Sequence, residues 1–135
     1  MLQLVAALAL VAIILAVGLS VRRIVSKRAE ALVGLKLERS AETPVVLYFK
    51  STHCPPCRLE QEPELRTLAE RSQDEFELRT IDVSLEPDLA RQYRVLSAPT
   101  TVVLDVEGRV AAVNVGTAKA DLLASQISAS RQPAA

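Results

Sequence analysis

The sequence predicts an α/β domain, a central mixed β-sheet flanked by helices, preceded by one N-terminal transmembrane helix. Three observations predict it. The first 21 of the 135 residues carry no charged side chain. From residue 45 onward, short β-branched and aromatic runs alternate with helix-type patterns. A Cys-x-x-Cys stands where the first of those runs passes into the first helix of the domain. Composition narrows the classes further. With 16 basic and 16 acidic residues there is no overall basic field to hold nucleic acid. Two cysteines are too few for a multi-bridge framework, and one histidine is too few for most metal sites.

Residues 2–21 read LQLVAALALVAIILAVGLSV, with Gln3 and Ser20 the only polar side chains. At 1.5 Å per helical residue the run reaches about 30 Å, the hydrocarbon thickness of a bilayer. A cleaved signal peptide needs a positive region before its apolar core, and no Lys or Arg precedes Leu2. Arg22, Arg23, Lys27 and Arg28 follow the run instead, so the basic flank assigns the following domain to the cytoplasmic side. Setting those four aside leaves 12 basic against 16 acidic residues, a mildly acidic domain.

Residues 22–43 read as a basic juxtamembrane segment and linker, in which Leu35 and Leu37 alternate around Lys36 like a short edge strand. The domain is expected over 44–130, with a tail at 131–135. VVLYF at 45–49 is a strand buried on both faces. From Cys54 to about Arg71 the pattern is helical, with Leu59, Leu65, Leu68 and Ala69 as a partly apolar stripe and Pro63 forcing a kink. A second strand is expected at 76–83 and a short helix at 87–93. After Ala98-Pro99, TTVVLD is a strand, Glu107-Gly108 a hairpin turn, 110–115 its partner, and 120–130 a closing helix.

The chemistry gathers at Cys54-Pro55-Pro56-Cys57. A helix start leaves backbone N–H groups unpaired and presents a positive dipole end, and both stabilise a thiolate. Cys54 is then the exposed nucleophile of disulfide exchange, and Cys57, one turn further in, resolves the mixed disulfide. Such exchange needs neither metal nor organic cofactor. A zinc half-site with His53, a structural disulfide and a pair of inert buried thiols are the competing readings.

These residues resemble the thioredoxin family. The resemblance is carried by VVLYFKSTHCPPC, the helix with Pro63, RTIDVSLEPDLARQYRVLSAPTTVVLDVEGRV and NVGTAKADLLASQI, and it covers residues 45–128. It implies a thioredoxin-like fold, a cis Ala98-Pro99 peptide packed against the cysteine pair, and a backbone edge at Ala98 that pairs with an extended substrate segment. His53, Pro55, Pro56, Ala98, Pro99 and Gly116 then form the substrate groove around Cys54 and Cys57. The departures are specific. His53 and Lys50 stand in the places of two tryptophans, Tyr48 in that of a buried acid and Leu78 in that of its lysine partner, while Pro55 replaces a glycine. Pro55 and Pro56 donate no N–H, which leaves the Cys57 N–H to face the Cys54 sulfur.

The expected protein is therefore a membrane-anchored thiol-disulfide oxidoreductase with no cofactor beyond its own Cys54-Cys57 pair. Its partners are protein thiols and disulfides, a reductase or electron-donor protein, and a membrane through residues 2–21, with no nucleic acid. Two rivals remain: an extracytoplasmic thiol reductase for apocytochrome c or exported cysteine proteins, and a non-enzymatic, membrane-tethered binding module of the same fold.

Overall fold

In the computed structural model, residues 1–72 and 75–132 are described, so the last three residues of the expected tail lie outside them. The apolar run forms part of α1 (Leu2–Glu30), a single helix that is long and apolar enough to cross a membrane. It continues through the basic residues, and Val25 and Ala29, one turn apart, are its only partly covered side chains. Beyond the helix end, Leu32 is buried in the core. The segment at Leu35 and Leu37 makes a single bridge, Lys36 to Arg109, rather than a strand. Gly108 explains why this segment lies so close: its φ is +79°, and an added Cβ would stand 2.3 Å from the Glu38 carbonyl oxygen.

The sheet contains β1 (Val45–Lys50), β2 (Glu77–Asp82), β3 (Thr100–Leu104) and β4 (Val110–Val115), in the order β2-β1-β3-β4. β1 pairs parallel with β2 and antiparallel with β3, and β3 pairs antiparallel with β4, so the sheet is mixed. β1 is buried on both faces because its residues alternate between two cores. Val46 and Tyr48 face Leu65, Leu68, Leu123 and Ile127, while Val45, Leu47 and Phe49 face Leu32, Ile81 and Tyr93. Burial of a side chain such as Phe49 contributes about 1.5–3 kcal/mol. β2 is an edge strand whose first four residues are exposed, and its Glu77 and Arg79 are charges of the kind that blunt open edges.

Three helices complete the layers: α2 (Glu62–Arg71), α3 (Pro87–Gln92) and α4 (Ala120–Ala129). The expected helical run from Cys54 to about Arg71 is present over residues 55–71, with one irregular turn inside it. A π-helical turn at Cys57–Gln61, closed by the Glu62 N–H donating to the Cys57 carbonyl, precedes α2. Pro63 falls directly after that π turn, where the helical hydrogen-bond ladder is already irregular and its missing N–H is accommodated. Leu65 and Leu68 face the core as expected, but Leu59 and Ala69 are exposed, because the π turn rotates Leu59 off the buried stripe. β1 and β2 pair in step over six residues, so Thr80 faces Tyr48 and Leu78 faces Val46.

Candidate redox site

β1 delivers the chain to the cysteines at the edge of the core. Cys54 and Cys57 are joined by a disulfide with Cα atoms 5.3 Å apart. Cys54 is half-buried and Cys57 is 2 % exposed, so the first sulfur is the one solvent reaches. The Cys57 N–H lies 3.2 Å from the Cys54 sulfur, the one donor that the two prolines leave in place. Sulfurs bonded to each other are not free to hold a metal, and no cluster of three or more His, Cys, Asp or Glu side chains suited to a metal occurs among the described residues.

A cleft of about 480 Å³ opens beside the disulfide, with His53, Cys54, Pro55, Cys57, Lys50 and Glu62 among its walls. His53, Pro55 and Pro56 are exposed. Ala98, Pro99 and Gly116 do not line that cleft. Ala98, half-buried, packs on the core cluster that contains Cys57. The Ala98-Pro99 peptide is cis, as the resemblance implies. The Gly116 N–H donates to the Pro99 carbonyl at 2.8 Å, with Gly116 at φ +87°. The backbone N–H and C=O of Ala98 make no hydrogen bond among the described residues, which leaves both available to an extended segment.

Four features escaped sequence reasoning. The Tyr48 hydroxyl donates to the Cys57 carbonyl at 3.2 Å, and burial, then the nearby Glu62 charge, pushes its pKa up to about 12. A group so reluctant to ionise cannot take a proton from Cys57. Glu62, paired with Lys50 at 3.4 Å, and Asp82, held by Thr52 and the Ser84 N–H, are instead the carboxylates brought to the cleft. Fully buried Gln61 clamps Ala118, accepting from its N–H at 2.7 Å and donating to its carbonyl at 3.0 Å, so the π turn is tied to the segment after Gly116. Glu64 accepts the Ala120 N–H at 2.8 Å and caps α4, whose own N-cap Lys119 offers no side-chain acceptor. Hydrogen bonding from Ala120 and then Lys119 holds the Glu64 carboxyl below its ordinary value. A Gln or Glu on a helix carries no sequence signal that names a partner more than 50 residues away.

The family model for thioredoxin matches residues 35–129. The thioredoxin of Mycobacterium tuberculosis is 32 % identical over 63 residues, which are 47 % of this chain and 53 % of that protein. Thioredoxin-1 of Drosophila melanogaster is 33 % identical over 76 residues, 56 % of this chain and 70 % of that protein. The chain thus spans about half the length of the mycobacterial thioredoxins it matches. Among solved structures, a single-residue variant of the thioredoxin from Halobacterium salinarum NRC-1 superposes with a TM-score of 0.59 at 30 % identity, covering 70 % of this chain and 80 % of that one.

Proposed function

The chain belongs to the thioredoxin family, and on that premise we propose that it is a thiol-disulfide oxidoreductase anchored to a membrane by residues 2–21. The observation that carries this reading is the Cys54-Cys57 disulfide at the head of a helix, with Cys54 accessible and Cys57 buried. In the reduced protein the Cys54 thiolate attacks a partner disulfide and displaces one partner sulfur as a thiolate. Cys57, one turn inside, then gives up its proton and attacks the Cys54 sulfur, which releases the reduced partner and restores the disulfide. Glu62, which lines the cleft beside the disulfide, is the group that accepts that proton by way of water. Ala98 supplies the backbone edge, and the Pro99–Gly116 backbone bond holds it.

The uncharged stretch up to Val21 supports the anchor, and Arg22, Arg23, Lys27 and Arg28 support a cytoplasmic domain. Trapping tests the exchange. Full-length protein with Cys57→Ala accumulates protein adducts on Cys54 that a reducing thiol releases, and Cys54→Ser abolishes them. Adducts that persist without Cys54 refute the mechanism. Protease digestion of spheroplasts tests the orientation, because a cytoplasmic domain survives it.

A further inference from the structure

The anchor is not joined to the domain by a free tether, and its packing determines which end of the domain meets the bilayer. α1 packs against β4. The Gly34 N–H donates to the Val110 carbonyl at 2.7 Å, so the start of β4 is tied to the chain just past the helix. Val25 and Ala29 share a small cavity with Leu96, Thr100 and Val115, which places the far end of β4 and the residue after Pro99 beside the part of α1 nearest the apolar run. The lengths are compatible: five strand steps from Val110 to Val115 cover about 17 Å, and eight helical steps from Glu30 back to Arg22 cover about 12 Å, with the turn to Gly34 adding the rest. β4 therefore runs antiparallel to α1, toward the bilayer. Val25 lies only about 6 Å along the helix from Val21, where the uncharged run ends.

The end of the sheet that carries Ala98, Pro99 and Gly116, with Cys54 packed on the same cluster as Ala98, is thus the end facing the membrane. Charge on that flank fits the placement. Arg28, Arg91 and Arg94 surround exposed Leu96 in one cavity, three guanidinium groups and an apolar side chain suited to anionic headgroups and the layer below them.

We propose that the redox end of the domain faces the bilayer surface, so that Cys54 exchanges with a disulfide or dithiol of an integral membrane protein held at headgroup level. The inference rests on the reading that residues 2–21 cross a membrane. The exchange balances without a further reactant. Cys54 attacks one partner sulfur, the partner S–S bond breaks, and Cys57 closes the ring on Cys54. Two electrons and two protons pass from the Cys54/Cys57 dithiol to the partner, or the reverse when the partner is the donor.

Two vesicle measurements on the full chain test it, in phosphatidylcholine with phosphatidylglycerol. With the native disulfide intact, Leu96→Cys and, at the opposite end, Ser40→Cys are each labelled with a fluorophore and exposed to headgroup-nitroxide lipid. Separation by the length of β4, about 17 Å, predicts at least about twofold stronger quenching at Leu96. Failure to float with vesicles sinks the anchor itself. Flotation with equal quenching, stronger quenching at Ser40, or none at either position overturns the facing inference alone.

The second measurement uses a phosphatidylethanolamine bearing a pyridyl disulfide on its headgroup. Reduced wild-type chain releases pyridinethione from it, because confinement to one surface raises the effective concentration to the order of millimolar. The double variant Val25→Glu, Ala29→Glu, which undocks α1 from β4, loses several-fold of that rate and keeps its rate with soluble dipyridyl disulfide. Parallel loss on both disulfides, or loss on neither, contradicts the proposal.

Discussion

Replacing Gln61 with methionine keeps the volume of the side chain and removes both of its hydrogen bonds to Ala118. Gln61 is 0 % exposed, so the two vacated bonds lie away from solvent. The Ala118 N–H and carbonyl are then stranded, each at a cost of about 1–3 kcal/mol. Relief of the glutamine amide's own desolvation offsets part of this, which leaves a net loss of about 3 kcal/mol. In a domain of this size about 1 kcal/mol moves Tm by about 4–8 °C, so a fall of about 15 °C is expected. Near-ultraviolet circular dichroism reads it on the full chain in detergent, because Tyr48 and Tyr93 are both buried and report packing of the domain apart from α1. A fall smaller than about 5 °C refutes the clamp as a structural tie.

Three other perturbations probe the site and its support. Pro55→Gly adds a backbone donor at the helix head, so thiolate absorbance of the reduced chain should show a lower Cys54 pKa than wild type. Glu62→Gln keeps the shape of the cleft and removes its proton acceptor, so release of partner from a Cys54 mixed disulfide slows about tenfold or more, within the range of general-base effects, while the first attack by Cys54 is unchanged. Stopped-flow kinetics with a chromogenic disulfide separates the two steps. Glu64, held below its ordinary 4.5 by the Ala120 N–H and by Lys119, stabilises the folded state fully above that value. Its contribution is lost as pH falls through the lower folded-state value, so the wild-type Tm drops in acid and Glu64→Gln flattens that limb of the profile.

Which parts of this molecule were legible from sequence follows from how local their causes are. The strand at Val45, the turn at Gly108, the helix head at the cysteines and the uncharged run of α1 each depend on neighbouring residues and were readable as such. The extra residue of the π turn ahead of Pro63 was not legible in the apolar spacing, and it takes the helix off its regular register. Leu59 went to solvent for the same reason. The cysteine pair and the Ala98-Pro99 peptide were visible as motifs. Tyr48 on Cys57, Gln61 on Ala118 and Glu64 on Ala120 were not, because each joins residues that only tertiary packing brings together.

Catalytic reduction of insulin disulfides by the full chain, with a small dithiol as electron source, tests the central claim most directly. Wild-type protein is predicted to accelerate chain separation in a manner that Cys54→Ser abolishes, while Cys57→Ser arrests the reaction as a Cys54 mixed disulfide. Equal rates for wild type and Cys54→Ser would contradict the account.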